Sequence, residues 1–454
     1  MKRLNWKITT AIIVIVVLTF MLARLEQPVE SEATDSSSGL AIQSWKTDNG
    51  ARVVFVPAPE LPMADVRVVF DAGSARDGDL PGLAKMTAGM LDEGAGDRDA
   101  DELAQRLDDI GASYSASVKR DMAAFSLRTL VDKSLRDQAL NTFASILGEP
   151  TFPDDSFNRV RRNTLVSLQN RKQSPGDLGK DLFYKNLFGT HPYATPVSGE
   201  EESVKAIRRS DLQSFHKQYM VAENAVVAIV GQLDRQQAEE LAEEVTAKLK
   251  PGEPAPSLPE VEALSEANRV DHSHPSAQTH ILVGQPGMRR GDRDYFSLYV
   301  GNHILGGSGF SSRVVKTIRE DRGLAYSSYS YFVPQRVNGA FIMGLQTSNK
   351  QAEQALELLH EVLTKFIDEG PTEEDLQHAK KNITGGFPLN IDSNKDIVEY
   401  LAMIEFYGLP HDYLDTFNDN VKAVTAADIR DAFQRRIDPD KLLTVTIGNG
   451  NSSE

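Results

Sequence analysis

The stretch His272-Ser-His274, followed by His280, holds imidazoles close enough in sequence to suggest a metal site, because neutral histidine nitrogens are common zinc and copper ligands. No acidic partner stands at ligand spacing, so the sequence places these histidines in an exposed loop instead. His303 falls in an apolar helical stretch and reads as a packed or capped side chain, and His191 sits in a His-Pro-Tyr turn and reads as structural. Ser311 and Ser312 follow glycines, yet no G-x-S-x-G nucleophile elbow surrounds them, which excludes a serine hydrolase of that type. The run Gly306–Gly309 lacks the lysine and spacing of a phosphate-binding loop. Its glycines suit a tight turn that lets backbone approach a peptide. With no cysteine, the chain has no disulfide, thiolate metal site or cysteine-linked lipid.

The elements that must position such groups can be read along the 454 residues, a length that implies more than one domain. Forty per cent hydrophobic residues suffice for packed cores, and a net charge of −16 argues against nucleic acid and anionic lipid as partners. At the N-terminus, Lys2, Arg3 and Lys7 precede an uncharged run from Ile8 to Ala23, the pattern of a signal anchor or signal peptide (residues 1–25). The folded part is then expected on the outer, periplasmic side, joined by an acidic, Ser-rich tether over 26–42. Two copies of one pattern follow. Ile110-Gly-Ala-Ser-Tyr114-Ser matches Arg322-Gly-Leu-Ala-Tyr326-Ser, Arg161-Arg-Asn163 matches Lys380-Lys-Asn382, and the strand ending at Gly231 matches the strand ending at Gly448. The near-constant offset implies duplication into modules at 43–249 and 263–449, separated by a Pro-rich linker at 250–262. Within the first copy, Arg52–Pro57, Asp65–Ala72, Ser113–Val118, Ala123–Leu130 and Ala225–Val230 read as strands. Leu83–Leu91, Asp99–Ile110, Lys133–Leu147, Asp154–Arg171 and Asp211–Tyr219 read as helices, giving an α+β class in which antiparallel sheets pack against helices.

Four ordered motifs then carry a family resemblance. They are Gly94-Ala-Gly, Asn186-Leu-Phe-Gly-Thr-His-Pro-Tyr193, Asn224-Ala-Val-Val-Ala-Ile-Val-Gly231, and Leu305-Gly-Gly-Ser-Gly-Phe-Ser-Ser-Arg313 with Ile318-Arg319-Glu-Asp-Arg-Gly-Leu-Ala-Tyr326. With the duplication, they make the chain resemble the insulinase/pitrilysin family of zinc peptidases. The resemblance implies a His-x-x-Glu-His motif in the frame 81–94, where two imidazoles on one helical face hold zinc and a carboxylate activates water. This chain has Lys85, Ala88 and Gly89 in those three slots, and Val166 or Ser167 where the third ligand, a glutamate, is implied. A lysine repels zinc, and alanine and glycine offer no lone pair, so no metal is expected on this chain.

The resemblance also implies that the second module supplies an arginine and a tyrosine that contact the substrate carbonyl. Arg319 and Tyr326 stand at that spacing. A guanidinium and a phenol both donate hydrogen bonds to a developing negative charge. The chain therefore resembles a non-catalytic subunit of a heteromeric zinc endopeptidase, with zinc in a homologous partner subunit and peptides as substrates. The alternatives left open are a peptide-binding or scaffold protein without proteolytic role, and an independently active peptidase with another metal site.

Overall fold

The structure, a computed structural model, describes residues 39–448. The expected anchor, and the tether up to residue 38, lie outside the described residues. The tether's last residues are not free: Leu40 and Ile42 are half-buried against the hydrophobic cores. Among the described residues, no helix is long and apolar enough to cross a membrane.

Eleven strands make two large sheets. The first contains β1 (Gln43–Lys46), β2 (Arg52–Pro57), β3 (Met63–Phe70), β4 (Ser113–Val118), β5 (Ala123–Leu130) and β6 (Ala225–Gly231), in the order β1-β2-β6-β3-β5-β4. The second contains β7 (Asn268–Ser273), β8 (Gln278–Pro286), β9 (Ser327–Val333), β10 (Ala340–Ser348) and β11 (Leu443–Gly448), in the order β9-β10-β8-β11-β7. Apart from β1, the two orders are the same read from opposite edges, which is the duplication in three dimensions. The sheets are mixed, a correction to the antiparallel expectation: β2 runs parallel to β6, with Arg52 opposite Val226, and β11 runs parallel to β7. Each returning strand comes back after a block of helices and inserts beside the first strand of its copy, a crossover that can deliver it parallel.

The helices that position the site are α1 (Leu83–Ala88), α2 (Ala100–Asp109), α3 (Lys133–Gly148), α4 (Asp154–Lys172), α5 (Pro175–Phe188), α6 (Tyr295–Asn302), α7 (Glu373–Gly386) and α8 (Asn394–Tyr407). Helix α2 starts at a capping box in which Asp99 accepts from Glu102 N and the Glu102 carboxylate accepts from Asp99 N. One face of the first sheet, with Val53, Phe55, Val66 and Phe125, packs on Leu103 and Leu107 of α2 and Leu140 and Phe143 of α3.

The other face of each sheet is covered by the other half of the chain. Strand β6 is buried at every residue, so its unbroken apolar run needs cover on both sides. The second cover is α8, whose Val398, Leu401, Ala402 and Phe406 sit on Val54, Val56, Val226 and Val230. Reciprocally, Phe183, Tyr184 and Leu187 of α5 sit on Leu282, Val445 and Ile447 of the second sheet. At the contact, Gly284 lets Phe183 reach the sheet, because a Cβ there would stand 2.9 Å from the Phe183 ring and 2.0 Å from Phe341 O. Each fully buried Val, Leu or Phe in this exchange contributes about 1.5–3 kcal/mol.

A buried polar latch joins the halves as well. Asp121, 3% exposed in the β4–β5 turn, accepts from the Tyr193 hydroxyl, from the Tyr407 hydroxyl at 2.8 Å and from the Arg336 backbone N–H at 2.9 Å. Burial and the adjacent Asp121 hold both phenols far above their ordinary range. Beside it, Asp71 pairs with Arg76 at 2.8 Å and with Arg336 at 3.2 Å.

Candidate functional site

Helix α1 carries the three degenerate slots. It is shorter than the expected Leu83–Leu91: it ends at Ala88, and Gly89 closes it by donating to Lys85 O at 3.0 Å. Its start is fixed by Asp77, only 4% exposed, whose two carboxylate oxygens accept from Gly82 N and Ala84 N at 2.7 Å each. Gly82 adopts φ 96, a conformation that favours glycine, and its Cα lies against Gly199, where a Cβ would sit 2.9 Å away. Burial pushes the Asp77 carboxyl up to about 7 although the two N–H donors pull it down. Sequence reasoning passed over Asp77. The signal was present in Asp77-Gly-Asp-Leu-Pro-Gly82, a turn-forming acidic stretch just before a helix.

Lys85 and Gly89 face solvent on one side of α1, whereas Ala88 is buried. The Lys85 ammonium reaches Ser198 Oγ at 3.3 Å. Partial burial and the Arg171 guanidinium hold it below the ordinary lysine range. Val166 and Ser167 lie exposed on α4, which also carries Arg171. Arg171 itself is held by Asp177 at 3.1 Å and by both oxygens of Asp181. These residues do not fit a zinc ion: two cations, a methyl group and a bare backbone occupy its surroundings. Among the described residues, no three His, Cys, Asp or Glu side chains converge as a metal site. Beside this slot, α4, α5 and the segment 196–205 enclose a cavity of about 490 Å³, lined in part by Arg171, Asp181 and Glu201.

In the second half, Arg319 lies in a wide helical turn, Lys316–Glu320, and Tyr326 stands just before edge strand β9. Gly323 N donates to Arg319 O at 3.0 Å and Leu324 N to Ile318 O at 2.9 Å, which turns the chain between them. The Arg319 guanidinium stacks over the ring of Phe310 at 4.7 Å, and Tyr326 is 82% exposed. Among the described residues, neither Arg319 nor Tyr326 makes a side-chain hydrogen bond or ion pair, with each other or with the rest of the fold. Phe310, itself 68% exposed, was not singled out from the sequence. On the first half, α1 packs against β4, the edge strand of its sheet.

The other histidines resolve simply. His191 accepts from Tyr193 N through Nδ1 and meets Pro259 O at 3.0 Å through Nε2, so one ring nitrogen closes its own turn and the other fastens the linker. His303 is half-buried beside Asn382 and His378, and burial lowers its pKa. His272 and His280 correct the loop expectation: they lie on β7 and β8, His272 facing solvent and His280 half-buried, where burial and the nearby His274 lower its pKa.

Residues 52–201 match the family model described as insulinase, peptidase family M16, and residues 206–383 match the peptidase M16 inactive domain. A crystal structure described as the peptidase M16 inactive domain from Pseudomonas fluorescens is 37% identical, with a TM-score of 0.88, over 91% of this chain and 100% of that one. The Bacillus subtilis protein called uncharacterized zinc protease YmxG is 23% identical over 90% of this chain and 99% of its own length. A Helicobacter pylori protein called non-peptidase homolog YmxG is 25% identical over 86% of this chain and 90% of its own.

Proposed function

The chain belongs to the insulinase family of peptidases, M16, and we propose that within it this protein is a non-catalytic, peptide-binding subunit that completes the site of a zinc-bearing homologous partner. The observation that carries this reading is the contrast between the two halves. The slots that would hold zinc are filled by Lys85, Ala88 and Gly89, while Arg319 is half-buried, Tyr326 is exposed, and neither has a side-chain hydrogen bond or ion pair among the described residues. Donors that satisfy nothing in their own fold are available to an oxyanion forming elsewhere. Extended peptide would add to a sheet edge: β4 lies beside the degenerate slot, and β9 begins directly after Tyr326. Zinc and the water-activating base belong to the partner in this reading, and the folded part would work outside the membrane, held by the N-terminal segment.

The test is affinity isolation of the full chain from its native source, with mass spectrometry and zinc quantification of the eluate. A zinc-containing homologue bearing His-x-x-Glu-His at about one to one supports the subunit. A zinc-free chain alone refutes the heteromeric role and leaves a peptide-binding or scaffold protein. Stoichiometric zinc on the lone chain overturns the account of the lost site.

A further inference from the structure

The first degenerate slot holds a positive charge that no carboxylate matches. Among the described residues, the one hydrogen-bond partner of Lys85 Nζ is Ser198 Oγ, at 3.3 Å. Acids are plentiful in this chain, and other lysines have taken them: Lys133, Lys172, Lys205 and Lys248 each hold a carboxylate at 2.6–2.8 Å. The Lys85 ammonium is partly desolvated and lies in the field of the Arg171 guanidinium, which is itself already paired with Asp177 and Asp181. A cation so placed is costly alone, and an arriving anion stabilises it.

The surroundings suit the end of a peptide chain. Gly89 stands one helical turn on from Lys85. Apart from its chain neighbours, a Cβ there would meet within 4 Å only Lys85 O, at 3.3 Å, and Met86 O, at 4.0 Å. Nothing else in the fold closes over this side of α1, so another backbone can come close to the ammonium. The segment that carries Ser198 also walls the neighbouring cavity of about 490 Å³, through Pro196 and Gly199. Leu168, Leu178 and Leu182 line that cavity, and its cations Lys172 and Lys205 are matched by Glu201. It therefore suits an apolar side chain carried next to a carboxylate at Lys85. Edge strand β4 packs against α1, so strand addition there brings a peptide to this place.

We propose that the degenerate slot is a carboxylate site that takes the C-terminus of a bound peptide, with Lys85 and Ser198 as its donors and the peptide's last side chain in the cavity. The proposal rests on the peptide-binding reading. An ammonium donates hydrogen bonds to a carboxylate but does not ionise a bound water as zinc does. The slot thus holds a peptide end without cleaving it.

The test uses the full chain and an unstructured decapeptide ending in leucine, labelled with fluorescein at its N-terminus and made as the free acid and as the C-terminal amide, read by fluorescence anisotropy. The free acid is expected to bind about tenfold tighter, the scale of one charge-assisted hydrogen bond. That advantage should shrink to within about twofold in Lys85→Gln and should weaken in Ser198→Ala. Lys350→Gln, at an exposed lysine of the second half, makes the same change of net charge and should keep it. An amide with glutamate in the last position should bind no better than the leucine amide. The C-terminal carboxylate site is refuted, while peptide binding stands, if acid and amide bind equally, if the preference survives Lys85→Gln or is lost equally in Lys350→Gln, or if the glutamate amide matches the free acid. If neither leucine peptide binds, the peptide-binding reading falls and the site with it.

Discussion

Replacing Asp121 with alanine removes the acceptor of three donors in one step: two phenols and the Arg336 N–H. Asp121 is 3% exposed, so water does not simply take its place. A hydrogen bond to a charged group is worth about 1.5–3 kcal/mol, and an orphaned buried donor costs about 1–3 kcal/mol. The three donors share one acceptor and relax together, so the losses do not add, and the expected destabilisation is about 3–5 kcal/mol. Tyr407→Phe removes a single donor and should cost about 1.5–3 kcal/mol. Urea unfolding provides the assay, followed by far-UV circular dichroism and by Trp45 fluorescence in a Trp6→Phe background. Trp45 packs on Phe55 and beneath Arg235, so it reports on the first sheet. Because the latch joins Asp121 and Tyr193 to Arg336 and Tyr407, both signals should shift together to lower urea. A shift worth less than about 1 kcal/mol, or a shift in one probe alone, would refute the claim that this carboxylate holds the halves together.

Further outcomes follow from the site. Arg319→Ala or Tyr326→Phe should lower turnover of the purified complex by about a hundredfold, the scale of losing one oxyanion donor, with the complex intact by size-exclusion chromatography; unchanged turnover in both removes their assigned role. Asp77 has a folded-state pKa of about 7, above an unfolded value near 4, so its contribution is fully present below about pH 4 and is lost as pH rises through about 7. Melting temperature should therefore fall over that window by an amount equivalent to at most roughly 4 kcal/mol, and Asp77→Asn should flatten that part of the profile. Restoring the three slots as Lys85→His, Ala88→Glu and Gly89→His should not restore stoichiometric zinc by equilibrium dialysis, because Val166 and Ser167 supply no third ligand and Arg171 adds positive charge nearby. Full zinc occupancy in that variant would show that α4 reorganises to provide one.

Local patterns were legible in the sequence, and long-range exchange was not. Strands β2, β4 and β5 fall on the expected residues, because alternation and β-branched runs carry their own boundaries. The sheets' parallel pairs were missed because pairing partners lie far apart along the chain, with Arg52 opposite Val226. The unbroken apolar run of β6 announces burial on both faces but not which helix supplies the second cover, and α8 comes from the other half. The degenerate slots were legible because a missing side chain shows without any structure. Asp121 and Phe310 were not, since one is defined by three distant donors and the other by a guanidinium brought over it by a turn.

The exposed group on the second half makes the strongest argument for a partner. A folded chain gains nothing in its own stability from Tyr326 at 82% exposure or Phe310 at 68%. Single exposed apolar residues are ordinary. Here, however, the guanidinium of Arg319 is parked over Phe310 with no carboxylate paired to it among the described residues, in a chain whose acids outnumber its bases, 65 to 49. With Phe310 exposed and Arg319 half-buried, the cation–π contact is worth about 1 kcal/mol, too little to hold the arginine against a competing anion. The arrangement keeps a donor oriented yet free to leave. On the first half the reverse holds: Asp77 ties down the start of α1 through two backbone N–H groups, and Ala88 is packed inside, so the helix that would hold a metal is fixed without one. The helix of the degenerate slots is thus stable without a metal, and Arg319 and Tyr326, hydrogen-bond donors left unpaired among the described residues, are the ones that the proposed complex would use.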